Sequence, residues 1–490
     1  MSQQKKQWGA IIIMIALFAM IAFVTNLCSP MAVIVKNDFG ASNVLSQIGN
    51  YGNFIAYLVM GIPAGMLIAK FGYKKTALIG LFVGIIGILV QWSSGHVGKE
   101  SAFVVYLIGA FISGFTMCIL NCVVNPMLNL LGGGGNKGNQ LIQIGGVFNS
   151  SAAVAVYIIM GALIGDAAKA HIADATPALM IALAIFIIGF IVIFFTKIEE
   201  PEQAKVDTTL IKGAMKYRHF VLGILAIFLY MGIEVGTPTY ILQYLTADTE
   251  EVKGIKEDIM QEYEKGTIDA TIAATRMTEI AADTLQKDTT NNAKQIAELK
   301  QKIEEKKITV ESIQKAVPGR GMDAGVVGLI VAVYWLMMLV GRLVGGTIAG
   351  KISSRKMITV VASASLILVA FGMFASTDIT VNVPGIDWGK LELIWAEVPV
   401  GIFAFLLVGL CTSVMWGGIF NMAVEGLGKY TAIASGIFMT MVFGCAVMVA
   451  IQGWLADLTD YMTSYWVVLF CAGYILFYAL VGSKIDNSKK

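Results

Sequence analysis

The sequence predicts an all-α membrane protein with twelve transmembrane helices, arranged as two pseudo-symmetric six-helix bundles. The first observation is composition, since the 490 residues are 57% hydrophobic and only 14% charged, with a mean hydropathy of +0.75. Soluble domains carry about 25% charged residues. The second observation is a series of twelve apolar segments, each longer than the roughly 20 residues that a helix needs to cross a bilayer. The third is a glycine motif that occurs once in each half of the chain.

Ten of the apolar segments contain no Asp, Glu, Lys or Arg. In chain order they are 9–35, 39–69, 76–98, 101–136, 138–165, 175–196, 357–377, 398–424, 430–456 and 462–483. The other two, 220–247 and 324–350, each contain one charged residue, Glu234 and Arg342 respectively. A lysine pair precedes the first segment, as in a signal peptide. Because that segment stays uncharged for 27 residues, we interpret it as a retained first span.

The connections between the spans predict the orientation in the membrane. With both termini inside, the inner connections and tails hold 18 Lys and Arg residues, whereas the short outer connections hold only Lys36, Lys99, Lys169 and Lys390. Cytoplasmic connections carry the excess of basic residues, so both termini are predicted to be cytoplasmic in a plasma membrane. The predicted outer loops lack an Asn-X-Ser/Thr site, which favours a bacterial inner membrane.

A charged linker and an internal repeat divide the spans six and six. The predicted parts are an N-terminal bundle (1–197), a cytoplasmic linker (198–218), a C-terminal bundle (219–247 and 323–490) and an insert (248–322). Gly61-Ile-Pro-Ala-Gly65 in span two and Gly341-Arg-Leu-Val-Gly345 in span eight are offset by 280 residues, and a basic turn follows each. The repeat predicts two parallel halves whose glycines permit close helix packing.

The insert is hydrophilic and is predicted to lie on the outer side of the membrane between spans seven and eight. It holds 12 Lys and Arg and 15 Asp and Glu residues, and its content of Ala, Glu, Lys and Gln favours helix. Its apolar residues follow a three-four spacing that Lys306 interrupts, namely Ile296, Leu299, Ile303, Val310, Ile313 and Val317. We predict two or three soluble helices packed on each other. They form either a structural addition without a role in transport or a partner-binding module.

A short segment between spans nine and ten has strand character. Ile379-Thr-Val-Asn-Val383 and Leu391-Glu-Leu-Ile394 flank the dipeptide Pro384-Gly385. Apolar and β-branched residues on either side of a turn dipeptide are typical of a hairpin. The sequence therefore predicts a small β-hairpin around Pro384-Gly385.

Several motifs carry a resemblance to a known family. Asn125-Pro-Met-Leu-Asn-Leu-Leu-Gly132 ends span four, Gly146-Val-Phe-Asn-Ser150 lies in span five, and Tyr230-Met-Gly-Ile-Glu234 lies in span seven. Together with Gly341-Arg342 and Ile419-Phe420, they resemble the fucose-galactose-glucose symporter family of the major facilitator superfamily. The resemblance covers most of the chain outside the insert. It implies import of a monosaccharide or a similar polyol, driven by a proton or sodium gradient.

The sequence departs from that family's pattern at positions that bear on coupling. Fucose permease carries acidic residues in spans one and four, where this chain has Ser29 and Asn121. An Arg and a Gln of the family's span five fall on Leu141 and Gly146, and a Pro-Thr of its span ten falls on residues 417–418, which are both glycine. A different substrate or a different coupling ion therefore stays open.

Polar side chains inside the spans are candidates for substrate binding, because they are costly in a bilayer unless they face a wet cavity or another helix. Their amides and hydroxyls are suited to sugar hydroxyls, and tryptophan rings offer flat apolar faces for a sugar ring. The predicted substrate-binding residues are Asn26, Ser29, Asn53, Asn121, Asn125, Asn149, Tyr230, Trp335, Arg342, Trp416 and Asn421. The alternative is that the Asn and Ser side chains only bond between helices.

Glu234 is the predicted ion-coupling residue. It is the only acidic residue well inside a span, and burial there disfavours its charged form, so that it can take up and release a proton. Opening to the outside would load proton and substrate, and opening to the inside would release both. The alternatives are a sodium-coupled sugar symporter, a uniporter, or an organic-anion carrier in which Arg342 holds the substrate.

Other classes of function are disfavoured. A membrane enzyme needs a clustered nucleophile and base, or a set of metal ligands, within the bilayer, and the spans offer only isolated charges. A sensor would be expected to carry a cytoplasmic signalling domain, for which the predicted inner loops and tails are too short. Six cysteines lie inside apolar spans, which argues against disulfides and metals, and a net charge of +2 gives no reason to expect nucleic acid. We predict no cofactor, a monomer in membrane lipid, and two small partners, a sugar-like substrate and a proton or sodium ion.

Overall fold

The first half of the computed structural model consists of long helices. The structure describes residues 8–38, 43–164, 175–196, 209–285, 292–305, 308–322, 324–387 and 392–485. The helices of the first half are α1 (Trp8–Asp38), α2 (Asn43–Ser93), α3 (Lys99–Leu131), α4 (Gly135–Ile164) and α5 (Thr176–Phe195), followed in the linker by α6 (Thr209–Ala214).

The second half contains further long helices, the insert and one hairpin. It begins with α7 (Arg218–Thr246), and the insert holds α8 (Glu250–Glu264), α9 (Ala270–Leu285), α10 (Asn292–Glu304) and α11 (Val310–Gln314). Then follow α12 (Ala324–Ile348), α13 (Ser354–Phe374), β1 (Thr380–Asp387), β2 (Glu392–Pro399), α14 (Val400–Thr412), α15 (Met415–Val424), α16 (Thr431–Thr440), α17 (Gly444–Leu458), α18 (Tyr461–Ser464) and α19 (Trp466–Phe477). The chain stays nearly continuous where α14 meets α15 and where α16 meets α17, so each pair extends one apolar segment.

Ten helical stretches among the described residues are long and apolar enough to cross a membrane. Predicted spans two and three both lie in α2, which has a break at Gly72, where φ is 82°. Only glycine adopts that backbone conformation at little cost, so Gly72 divides α2 into two helical segments that correspond to predicted spans two and three. The helix α4, which holds predicted span five, is not among the ten. The all-helical membrane architecture agrees with the prediction, and the number of twelve spans stays a prediction.

The connections define two ends of the helix bundle. The first, which we name the basic end, carries Lys74 and Lys75 next to the Gly72 break of α2, and Arg355 at the start of α13. The opposite end, which we name the insert end, carries the insert between α7 and α12 and the hairpin between α13 and α14.

The two halves approach each other through glycines on the side of the basic end. The first repeat motif on α2 packs against α16, and a Cβ added at Gly436 would lie 2.8 Å from the Cα of Gly65. Gly61 packs in the same way against Thr440. The missing side chains allow the backbones of two helices to come this close. We name these four residues the glycine seam.

The insert has a hydrophobic core of its own. Its buried members come from α8, α9, α10 and α11, and they are Ile259, Met260, Ala270, Ala273, Ala274, Met277, Ile303 and Ile313. The two ends of the insert meet, because the Gly319 N–H donates to the Asp248 carbonyl at 2.7 Å and the Gly321 N–H donates to the Ala247 carbonyl at 2.7 Å. The insert thus leaves and rejoins the bundle at one neck. Lys306 lies outside the described residues, and the role of the insert stays a prediction.

The hairpin is present, but its turn does not lie at Pro384-Gly385 as the sequence pattern predicts. Pro384 and Gly385 lie within β1, where Pro384 pairs with Trp395 and Gly385 pairs with Ile394. The strands pair from Thr380 with Pro399 to Asp387 with Glu392. Proline lacks only the N–H donor, and an edge position in a two-stranded ladder tolerates that loss. The connection between the strands, 388–391, lies outside the described residues.

Candidate functional site

A buried pair of opposite charges lies between two helices of the second half, on the side that faces the first half. Glu234 on α7 and Arg342 on α12 face each other, with 3.8 Å between Oε1 of the glutamate and Nη2 of the arginine. Their side chains are only 13% and 10% exposed. A lone arginine in a span can extend its charge to the membrane surface, but the guanidinium of Arg342 stays buried beside Glu234. A guanidinium buried in this way requires acceptors on every side, because a buried charge without partners is very costly.

Arg342 finds the rest of its acceptors on α4, in the other half of the molecule. Its Nη1 donates to the carbonyl of Gly146 at 3.0 Å, to Oδ1 of Asn149 at 3.1 Å and to Oγ of Ser150 at 2.7 Å. Gly146 provides the room, since an added Cβ would lie 3.2 Å from Cδ of Arg342. One guanidinium therefore joins the two halves, with α7 on one side and α4 on the other.

Asparagines on α3 form a second polar group. Asn121 donates to the Tyr57 hydroxyl at 2.8 Å, and Asn125 donates to the Asn121 carbonyl at 3.0 Å. The indole N–H of Trp416 on α15 donates to Oδ1 of Asn125 at 3.2 Å, across the two halves. These predicted residues share one surface at the interface of the halves, as their spacing of one helical turn on α3 requires.

Aromatic rings surround Trp416. Tyr230 lies at a centroid distance of 6.1 Å and Phe438 also at 6.1 Å, both at steep angles to the indole. A small cavity next to Trp416 has room for about one water molecule. Its wall includes Gln143, Arg342 and Ser413. The cavity therefore adjoins both the charged pair and the aromatic group.

A further layer of hydrogen bonds joins the two halves near the basic end. Asn129 donates to Oδ1 of Asn421 at 2.7 Å, and Asn421 in turn donates to Oγ of Ser354 at 2.9 Å. Gln140 donates to the Gly346 carbonyl at 3.0 Å, and Gln143 donates to the Val414 carbonyl at 3.2 Å. Asn421, predicted to bind substrate, thus belongs to this layer rather than to the group around Arg342.

The other predicted substrate-binding residues lie apart from this central group. Asn26 donates to the Ala22 carbonyl of its own helix at 2.8 Å. Asn53 lines a separate small cavity within the first half, and Trp335 is half-buried against the ring of Tyr334. The side chain of Ser29 lies outside the described residues.

Sequence reasoning missed several residues that the structure places at these contacts, namely Asn129, Gln140, Gln143, Ser150 and Ser354. Asn129 continues the four-residue series of Asn121 and Asn125, so its spacing on α3 is a usable signal. Ser150 follows Asn149 in a motif that the sequence singles out, but nothing in the sequence indicates that it meets a residue almost two hundred positions away. Among the described residues, no group of three or more His, Cys, Asp or Glu side chains is placed to hold a metal ion.

Comparisons with known proteins agree with this architecture. The model of the Major Facilitator Superfamily matches residues 13–254. The chain is 26% identical over 494 residues to a glucose/galactose transporter of Brucella abortus biovar 1 (strain 9-941), covering 99% of this chain and 96% of that protein. It is 23% identical over 281 residues to the L-fucose-proton symporter of Escherichia coli (strain K12), covering 52% and 62%.

Solved structures also share the fold. The crystal structure of FucP, a Major Facilitator Superfamily transporter in the outward conformation, has a TM-score of 0.68 and 17% sequence identity, with 97% of this chain and 98% of that chain covered. The family resemblance predicted from the motifs is confirmed by these matches, and the relatives are transporters rather than enzymes.

Proposed function

We propose that the chain is a secondary active transporter of the Major Facilitator Superfamily that imports a monosaccharide by proton-coupled symport. The model of that superfamily matches residues 13–254, and ten described helical stretches are long and apolar enough to cross a membrane. The observation that carries this proposal is the buried Glu234–Arg342 pair, which lies between helices of one half and is hydrogen-bonded to the other half. A titratable carboxyl at that position can link a proton to the packing of the two halves.

Glu234 is the proposed site of the coupling proton. Its carboxyl is buried on α7, with Arg342 as its charged partner and Tyr230 one helical turn away on the same helix. Burial disfavours the carboxylate, and the nearby guanidinium favours it. The balance of these two effects depends on how firmly Arg342 is held elsewhere, so it changes when the halves move. That is the property that a symporter needs at its coupling site.

The sugar is proposed to bind between Trp416 and the amides of α3. Asn121 and Asn125 are buried and in hydrogen-bond contact with each other, and Trp416 already donates to Asn125. An indole face next to amide donors and acceptors suits a ring that is apolar on its faces and polar at its edge. The relatives named as glucose/galactose transporter and L-fucose-proton symporter support a sugar of this class.

The arrangement corresponds to one state of an alternating-access cycle. The described hydrogen bonds that join the halves, from Arg342 to Asn129, run from the level of the charged pair to the basic end. We take the basic end to be cytoplasmic, as the Lys and Arg distribution predicts, with both termini on that side and twelve spans in total. In this proposal the site is closed to the cytoplasm and accepts its substrates from outside.

An organic anion is a weaker candidate substrate. Such an anion would need the guanidinium of Arg342, but Nη1 already has three acceptors on α4 and Nη2 faces Glu234. Binding an anion there would have to displace these partners. A neutral sugar does not need to displace them.

Uptake by the purified protein in proteoliposomes tests the proposal. Labelled glucose, galactose and fucose are offered under an imposed proton gradient, an imposed sodium gradient, or no gradient. Accumulation of at least one sugar that depends on the proton gradient is expected. Accumulation that requires sodium and ignores pH would replace the coupling ion, and equilibration without accumulation under either gradient would indicate a uniporter.

A further inference from the structure

We propose that Gly146, Asn149 and Ser150 form an acceptor site that holds Arg342 while Glu234 is protonated, and that loss of this site drives the proton off Glu234. We name these three residues the α4 acceptor site. The inference rests on the proposed function, because it requires that Glu234 carries the coupling proton. Asn149 and Ser150 are then positioning residues that act through Arg342.

The contacts of Arg342 with the α4 acceptor site are tighter than its contact with Glu234. The three acceptors on α4 lie 2.7 to 3.1 Å from Nη1, within the range of good hydrogen bonds. The distance of 3.8 Å between Nη2 and the Glu234 oxygen is too long for one. In this state the guanidinium is therefore satisfied mainly by neutral oxygens of the other half, and Glu234 can be protonated without leaving Arg342 unpaired.

Separation of the halves removes this support. Because α4 belongs to the first half while α7 and α12 belong to the second, opening the basic end would carry the acceptor site away from Arg342 and leave Glu234 beside it. A carboxylate is a much better partner for a guanidinium than a protonated carboxyl. The proton would then leave the Glu234 carboxyl for water at the basic end, and the ion pair would take its place. Proton release would thus follow from the opening itself.

The other titratable groups that the structure describes near Glu234 do not supply a charged partner for its carboxyl. Tyr230 on α7, Tyr334 on α12 and Cys445 on α17 lie close enough for electrostatic interaction with it. Phenols and thiols in such surroundings are neutral in the pH range in which uptake is measured. Among the described residues, Arg342 is therefore the charged group that faces Glu234.

The test is the dependence of sugar uptake on external pH in proteoliposomes. Ser150→Ala removes the shortest of the three contacts, so Arg342 depends more on the Glu234 carboxylate and protonation from outside requires a more acidic medium. We expect the midpoint of the profile to move to lower pH by about 0.5 to 1 unit. Ser150→Thr keeps the hydroxyl and should restore the parent midpoint. Ser151→Ala is the matched control, since that hydroxyl is exposed and bonds to its own helix.

The outcomes separate this inference from the proposed function. If the parent protein shows no dependence on pH, proton coupling fails and the inference fails with it. If uptake by the parent protein depends on pH, but the pH profile of Ser150→Ala has the same midpoint as that of Ser151→Ala, the inference alone is overturned. Counterflow at fixed pH verifies that each variant is inserted and binds sugar. If Ser150→Ala does not insert into the membrane, Ser150→Cys is measured instead. Cysteine has nearly the volume of serine but is a weak hydrogen-bond acceptor, so the midpoint of its pH profile should also move to lower pH.

Discussion

Replacing Gly436 with alanine tests whether the glycine seam closes the basic end. A Cβ at Gly436 would lie 2.8 Å from Cα and 2.9 Å from N of Gly65, whereas ordinary contacts begin at 3.4 Å. Because the obstacle is backbone, no change of rotamer relieves it, and α2 and α16 must move apart. Overpacking of this kind costs about 1–3 kcal/mol. That cost falls on the closed state, so the ratio of closed to open molecules should decrease by about 5- to 150-fold.

The assay is thiol labelling from the side of the basic end. A cysteine introduced at Gln140, which contacts Gly346 across the halves, is placed in a cysteine-free background and exposed to a membrane-impermeant maleimide. Gly436→Ala should raise its labelling rate in proportion to the open fraction. Gly473→Ala is the control, because a Cβ there meets nothing within 4 Å. Equal labelling rates in the two variants would refute the claim that the seam closes this end.

Three further predictions concern the insert, the polar layer and the charged pair. Residues 249–318 can be replaced by a short Gly/Ser linker that joins Asp248 to Gly319. Sugar uptake should stay measurable, because the backbones of Asp248 and Gly319 are already hydrogen-bonded at 2.7 Å. Loss of uptake by a variant that still inserts and is monodisperse would indicate that the insert gates the path or captures substrate. Asn421→Leu leaves two buried partners without their hydrogen bonds, at about 1–3 kcal/mol, so the melting temperature in detergent should fall, and an unchanged value would contradict this. Arg342→Lys keeps the positive charge but loses the planar guanidinium, and Arg342→Gln loses both. The initial rate of sugar uptake should fall at least about tenfold in each variant. Normal uptake rates in both would mean that this side chain serves neither coupling nor binding.

The sequence predicts the helices and the two buried charges well, for simple physical reasons. A bilayer excludes charge over a long stretch, so charge-free runs mark the long helices, and the rare exceptions at Glu234 and Arg342 stand out against them. The asparagine spacing on α3 places Asn121 and Asn125 on one surface, and both are part of the central group in the structure.

The contacts between helices are harder to predict. Periodicity shows which residues share a face but not which distant helix covers that face, so it gives no reason to pair Ser150 with Arg342 or Asn129 with Asn421. The hairpin shows a related limit, because Pro384 is compatible with both a turn and an edge strand, and the register places it in the strand.

Glu234 is proposed to couple transport to a proton, and replacing it with glutamine examines this role without changing the size of the side chain. Glutamine mimics the protonated side chain but cannot release a proton. The variant is reconstituted into proteoliposomes, and both gradient-driven accumulation and sugar counterflow are measured beside the parent protein. We expect counterflow to persist, because the proposed sugar site and the contacts of Arg342 with the α4 acceptor site remain, while accumulation against a gradient is abolished. Normal proton-driven accumulation by Glu234→Gln would show that the coupling proton does not bind at Glu234.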